Sequence, residues 1–416
     1  MHTHGAAGGN LQTATGAAGG PLRRPAAAAL VSPPPGGGHD GAVSVTPSQP
    51  QDPGRPAATP RARRRRRGRL APALVFIVVI GVAAIAGAFL LARAFEDDRP
   101  RGPYLIGAWT FGDAASLQRG VDAGALDEVS LDWLQSRADG SVAAPRFDAG
   151  FLALVREKDC RVVVTLTDYD ESIQRFDPRI AAAVLATAQT RRRHAAAVAE
   201  WCRANDIKGV DVDWEALTAG QRDRFTAFVA ELARQLHADG RFIAVDVVPK
   251  TREPGSWSTP RAQDWSALGE VVDQVRVMTY NYSGSWSGPG PLSPPAWMDA
   301  VLTFAESQIA SRKVVMGVGF YGRDWRGSQT TDLVWANVVA IRATYHPKEW
   351  RGPSAELTLT YKSDGAKHTA FFPDAKAIDA KLTMMLERHP HIRGVYCWMM
   401  GQEDPAAWTV LRKRLH

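Results

Sequence analysis

Cysteine is nearly missing from this chain of 416 residues, with three in all: Cys160, Cys202 and Cys397. The number is odd, the positions fall inside or at the ends of expected elements, and none has metal-ligand spacing. A disulfide framework is therefore excluded, and buried free thiols are expected. No cluster of His, Cys or acidic residues elsewhere has the spacing of a metal site. The first 69 residues are poor in aliphatic and aromatic side chains and rich in Gly, Ala, Pro and Ser, as in Ser32-Pro33-Pro34-Pro35-Gly36-Gly37-Gly38. Such an arm cannot bury enough apolar surface to fold, and disorder is expected.

Charge is missing altogether from Leu70 to Ala92. At ~1.5 Å per residue this run spans a hydrocarbon core of ~30 Å. Arg61, Arg63 to Arg67 and Arg69 precede it, and a mixed-sign segment, Arg93 to Arg99, follows. That asymmetry predicts a single transmembrane helix with a cytoplasmic N-terminus, membrane lipid as a partner of residues 70–92 and the Arg run, and everything beyond Ala92 outside the cell membrane. The competing reading is a cleaved signal peptide, with Ala92-Arg93-Ala94 as cleavage site; the apolar run and the arm before it are both too long for one. The net charge of +7 comes from the arginine run, since residues 102–416 hold 37 basic and 38 acidic residues. Nothing in that outer part asks for nucleic acid.

What is present is a row of acids, Gly209-Val210-Asp211-Val212-Asp213-Trp214-Glu215. Side chains alternate along a strand, so Asp211, Asp213 and Glu215 share one face and Val210, Val212 and Trp214 the other. A buried strand does not carry three carboxylates on one face unless that face does chemistry, because burying unpaired charge is costly. Around this row the chain reads as eight strand–helix repeats. The strands are 104–109, 128–133, 161–167, 209–215, 242–248, 274–280, 314–320 and 394–398, with helices at 178–204, 219–238, about 296–310 and 375–388 among those between them. This is the count of a (β/α)8 barrel over residues 104–416, preceded by a linker at 93–103. Residues 327–373 are too many for one connecting helix. They contain two β-rich runs around Ser363-Asp364-Gly365, and a small α+β insertion between strands 7 and 8 is expected.

The acidic row resembles the Asp-x-x-Asp-x-Asp-x-Glu signature of glycoside hydrolase family 18, the chitinase-like family, with Lys208 in place of the first acid. Met278-Thr279-Tyr280-Asn281 resembles that family's Met-x-Tyr-Asp, with Asn281 for Asp. The loop Gly288 to Pro294, the stretch Gly317 to Trp325 and the final strand Tyr396 to Asp404 are similar to the spore-germination, cortex-lytic branch. LysM repeats, common in that branch, are not seen. The resemblance implies hydrolysis of a β-1,4 bond next to N-acetylglucosamine without metal or cofactor, the acetamide of the substrate serving as nucleophile. It implies that Glu215 is the general acid and then base, that Asp213 orients the acetamide, and that Asp211 stands behind it. It also implies that Tyr280 holds the acetamide carbonyl and that Trp398 floors the central sugar site, as an indole plane suits the apolar face of a sugar. Met278 shares the inward face of Tyr280, and Asn281, placed with the substrate by the resemblance, keeps the hydrogen bonding of the family's Asp but not its charge. Tyr321, Asp168 and Trp109, and with them Asp170 and Trp133, are expected at the barrel mouth, either on glycan or in ordinary packing. His194 and His237 are expected on helix surfaces. Peptidoglycan leads as substrate, chitin follows, and an endo-N-acetylglucosaminidase acting on glycoproteins is a further reading. The rival class is a non-catalytic glycan-binding barrel, against which the presence of Glu215 argues.

Overall fold

A computed structural model of the chain describes residues 104–416. The N-terminal arm, the apolar run 70–92 and the linker read from the sequence lie outside the described residues. Among the described residues no helix is long and apolar enough to cross a membrane.

Eight parallel strands close on themselves: β1 (Leu105–Thr110), β2 (Glu128–Ser136), β3 (Arg161–Thr167), β4 (Gly209–Asp213), β5 (Phe242–Val247), β6 (Gln274–Val277), β7 (Val314–Gly319) and β8 (Gly394–Trp398). Each pairs with the next in sequence, and β8 pairs back to β1, so the expected (β/α)8 barrel is the observed fold. The strands are buried on both faces, one against the barrel interior and one against the helices, and β3 and β7 are nearly continuous apolar runs for that reason. Along β4 the outward side chains Val210 and Val212 join the core, and Trp214 stacks on Phe228 with ring centroids 4.9 Å apart. The inward side chains are Asp211 and Asp213, both buried. The alternation read from the sequence is thus the alternation of the barrel wall.

The differences from expectation are local. The helix expected over 178–204 is two, Pro178–Val184 and Ala188–Ala204. Thr187 starts the second by accepting from Thr190 N while the Thr190 hydroxyl takes the Thr187 amide, a reciprocal cap that competes with helix continuation. The insertion begins earlier than residue 327. Its five-stranded antiparallel sheet already includes Gly322–Arg326, which pairs with both 329–333 and 366–372, and the expected hairpin forms from 357–363 and 366–372. Trp133 does not end its strand, since β2 runs on to Ser136; it faces outward against Phe147 and Phe151. His194 is fully buried rather than on a surface. Its Nδ1 meets Gly140 O at 3.0 Å and its Nε2 meets Ser136 Oγ at 3.1 Å, beside the stacked Trp214 and Phe228 rings, and burial lowers its pKa. His237 is exposed and paired with Asp273. The three cysteines are buried and free.

His389 ends the helix 375–388 between two carboxylates of the helix 295–308, Glu306 and Asp299, with Arg388 also on Asp299. Burial opposes its charge, but the two carboxylates outweigh burial and hold the imidazole above its usual value. A histidine with a raised folded pKa stabilises fully below its unfolded value of about 6.5 and loses that contribution as pH rises through the folded value. The stability lost in His389→Gln is therefore expected to be largest on the acid side of that window and to shrink above it. Thermal unfolding of both proteins across pH measures this, and a difference independent of pH would contradict it.

Candidate active site

The acidic row opens at the C-terminal end of β4. Asp211 and Asp213 end the strand, and Glu215 stands two residues beyond it, partly exposed. Its position is set through the backbone. Asp168, just past β3, is completely buried, and its two carboxylate oxygens accept the amides of Glu215 and Ala216, each at 2.9 Å. Thr259 Oγ1 donates to Glu215 O at 2.7 Å. Of the two places open to Asp168, on glycan or in packing, the structure favours the second: with both oxygens turned to backbone it fixes the turn that carries Glu215. Burial pushes its carboxyl up to about 7, against the pull of the two amides.

Tyr280 comes from the short turn after β6, where Asn281 adopts a φ of 67°, a left-handed conformation that Asn tolerates. Gly317 on β7 makes room for it: a Cβ there would stand 2.6 Å from Val277 O and 3.0 Å from the Tyr280 ring. Burial raises the Tyr280 hydroxyl well above the usual phenol range, and the neighbouring acids and Tyr321 act on it in the same sense. The hydroxyl therefore stays protonated, a hydrogen-bond donor beside the acids. Asn281 Oδ1 accepts from the Tyr321 hydroxyl and, at 2.8 Å, from Arg323 Nη2. Asn281 thus joins the start of the insertion to the barrel mouth, although it carries no charge.

Trp398 ends β8, partly exposed, and touches two aromatic groups. One holds Trp109, 5.6 Å away, and Phe111 at 6.4 Å; the other holds Met278, Tyr280, Leu292 and Tyr321. Trp109 lies beneath it, 1 % exposed, and donates its indole N–H to Asp211 Oδ2 at 2.8 Å. It is a floor support rather than a mouth residue. The structure so brings together Asp211, Asp213, Glu215, Tyr280, Tyr321, Asn281, Met278 and Trp398. Trp109 stands below them and Asp168 behind. Asp170 is partly exposed in a short hairpin, where its carboxylate caps Ser172.

Three charged residues of the same interior were missed in the sequence: Glu128 on β2, Asp246 on β5 and Arg276 on β6, all buried. Arg276 bonds Asp211 with one Nη and Glu128 with the other, its guanidinium 3.7 Å from the centre of the Tyr396 ring. Glu128 is held also by Arg161 at the barrel's lower rim. The signal was parity: Arg276 shares the inward phase of Met278 and Tyr280, and Asp246 the inward phase of Ala244.

A partly exposed carboxyl, a buried acid behind it, a protonated phenol and an indole floor at the C-terminal end of a barrel suit proton transfer to a glycosidic oxygen. Comparison with known proteins agrees. The model of the family "Glycosyl hydrolases family 18" matches residues 178–403, more than half of the chain. An uncharacterized glycosylase, YvbX, of Bacillus subtilis is 25 % identical over 63 % of this chain and 77 % of its own length. The cortical fragment-lytic enzyme of the same organism is 25 % identical over 67 % of this chain, which spans only 65 % of that relative. Among solved structures, a chitinase from Chromobacterium violaceum superposes with a TM-score of 0.69 at 24 % identity, covering 75 % of this chain and 99 % of that one. The spore cortex-lytic enzyme SleL of Bacillus cereus gives 0.68 at 21 % identity, covering 76 % of each chain. With the matched segment running from the helix before the acidic row to the end of the barrel, and the row, the tyrosine and the tryptophan at one mouth, the chain belongs to glycosyl hydrolase family 18.

Proposed function

We propose that this glycoside hydrolase cleaves β-1,4 bonds next to N-acetylglucosamine in peptidoglycan, by substrate-assisted catalysis with retention, while tethered to the outer side of the cell membrane by residues 70–92. The observation that carries the chemistry is the convergence of Glu215, Asp213 and the Tyr280 hydroxyl at the mouth. Glu215 protonates the departing oxygen and then activates water. Asp213 orients the acetamide and balances the oxazolinium charge, Tyr280 donates to the acetamide oxygen, and Trp398 offers its face to the sugar. The cortical fragment-lytic and spore cortex-lytic relatives support peptidoglycan, and the uncharged run beside the arginines supports the tether. The likeness to the Chromobacterium violaceum chitinase favours chitin as the second reading.

Product analysis of the full-length protein on peptidoglycan and on chitin fragments decides between them. Reducing-end N-acetylglucosamine from peptidoglycan, with retained anomeric configuration, is expected. Cleavage of chitin alone would overturn the substrate, and an inverted product would overturn the roles given to Asp213 and Tyr280. A C-terminal reporter protected from cytoplasmic reagents and held by the membrane through carbonate washing is expected of the tether; a released form beginning near Phe95 would oppose it.

A further inference from the structure

The barrel interior below the mouth holds more acids than the reaction assigns. Asp211, Asp213 and Asp246 meet there, each at most 4 % exposed, and one guanidinium, Arg276, faces them. The β5–β6 register sets Asp246 directly beside Arg276. Arg276 nevertheless gives its two Nη groups to Asp211 and Glu128, and none to Asp246. Asp211 Oδ2 is the most heavily bonded oxygen of the group: it accepts from Arg276, from Trp109 Nε1 at 2.8 Å and from Ser130 Oγ at 3.2 Å. Its other oxygen, Oδ1, is buried, and so is Asp246 Oδ1; among the described residues neither atom has a hydrogen-bond partner.

We propose that Arg276 and Asp246 are a pair of positioning residues for the catalytic row: Arg276 ties Asp211 from below as a carboxylate, and Asp246 meets it from the side as a neutral carboxyl that donates a hydrogen bond. The inference rests on the glycosidase reading and extends it. Three neighbouring carboxylates in a water-excluded layer cannot all be charged when the one cation among them is already shared with Glu128. The proton stays on an acid that Arg276 does not bond, and of Asp213 and Asp246 it is the one wedged between the other two carboxylates and the Arg276 strand. Asp246 is that acid, faced by Asp211 and Asp213 of β4, by Arg276 and Tyr280 on its other side, and by no further cation. Burial first, and then the charges of Asp211 and Asp213, raise it well above the usual carboxylate range, while Arg276 opposes them. A neutral Asp246 removes one repulsive charge from beside Asp213. It also holds Asp211 at the side, so that Asp213 keeps its aim at the mouth beside Glu215. The step is one of orientation, and no bond of the substrate passes through either residue.

The experiment compares Asp246→Ala, Asp246→Asn, Arg276→Met and Arg276→Lys in the full-length protein, on a fluorogenic β-1,4 N-acetylglucosamine oligomer. Asp246→Ala is expected to lower kcat by about 10²-fold, the order of loss when a reacting group is misplaced by an ångström, with KM little affected. Asp246→Asn, which keeps a neutral donor, should recover kcat to within about tenfold of wild type. An Asn variant as poor as Ala would overturn the neutral role. Arg276→Met should move the acid limb of the kcat/KM profile to higher pH, because Asp211 then keeps its proton longer, with Arg276→Lys between it and wild type. An unmoved limb in a folded Arg276→Met protein would overturn the tie. A readout without turnover stands beside these. The infrared carbonyl stretch of protonated carboxyls, present in wild type at neutral pH, should lose its Asp246 component in Asp246→Asn and keep what Asp168 and Glu215 contribute; an undiminished band would count against the neutral Asp246. Absence of the band from wild type overturns the proposal even where Arg276 variants fail to fold. A wild type that shows the band but cleaves neither this probe nor peptidoglycan would overturn the hydrolase reading instead.

Discussion

Glu215→Gln is expected to lower kcat by ~10²–10⁴-fold, the usual contribution of a positioned general acid. The amide keeps the size and hydrogen bonding of the carboxyl but cannot give up a proton to the leaving oxygen. The fold should be untouched, because the bonds that place residue 215 run through its backbone: its amide to Asp168 and its carbonyl to Thr259. Glycan affinity should be largely retained, since Trp398 and the mouth aromatics supply that contact. Asp213→Asn should also lose most of its turnover, as a neutral amide does not balance the oxazolinium charge. Trp398→Ala should do the reverse, raising KM more than it lowers kcat. Turnover and affinity of the three variants on one soluble glycan decide the matter. Full activity of a folded Glu215→Gln protein would remove Glu215 from the mechanism.

The eight strands were legible because a parallel barrel buries both faces of each strand, and this writes uninterrupted apolar runs into the sequence. The acidic row was legible for the opposite reason: Asp211 and Asp213 break such a run at a period of two. Asp246 and Arg276 break theirs once each, and a single charge has no period. Their meaning lies in contacts across the barrel, to Asp211 and Glu128, which no local pattern encodes. Asp168 sits where β3 has ended, so alternation no longer says where its side chain turns, and the structure points it at the Glu215 backbone instead of the mouth. The burial of His194 is written in its helix spacing. Val198 and Cys202, four and eight residues on, put it on the buried stripe of its helix. The early start of the insertion was hidden because Gly322–Arg326 looks like the exit of β7, and only its pairing with 366–372 assigns it to the second sheet.

The largest expected loss of stability belongs to a residue remote from the chemistry. Glu356, at the start of the insertion hairpin, is completely buried and accepts from Leu292 N at 2.8 Å, Ser293 N at 2.9 Å and Lys381 Nζ at 2.9 Å. It joins the loop after β6, the insertion and the helix 375–388 at one point. Lys381 is buried as well, so Glu356→Ala leaves an ammonium and two amides without their acceptor. Breaking a buried pair in this way costs about 3–5 kcal/mol. The loss should reach the active site, because Leu292 packs against Tyr280, Tyr321 and Met278, and a released loop lets the phenol move away from the acids. Chemical unfolding should therefore show the drop in stability, and kcat should fall in the protein that remains folded. Glu356→Leu combined with Lys381→Met removes both charges together and should recover most of the stability, since apolar replacement of a whole buried pair is often neutral or stabilising. It does not restore the acceptor for Leu292 and Ser293, so kcat should recover less than stability does. Equal recovery of both would mean that the loop is held by packing alone, and a loss below about 1 kcal/mol in Glu356→Ala, the scale of an exposed pair, would mean that Glu356 is no strut.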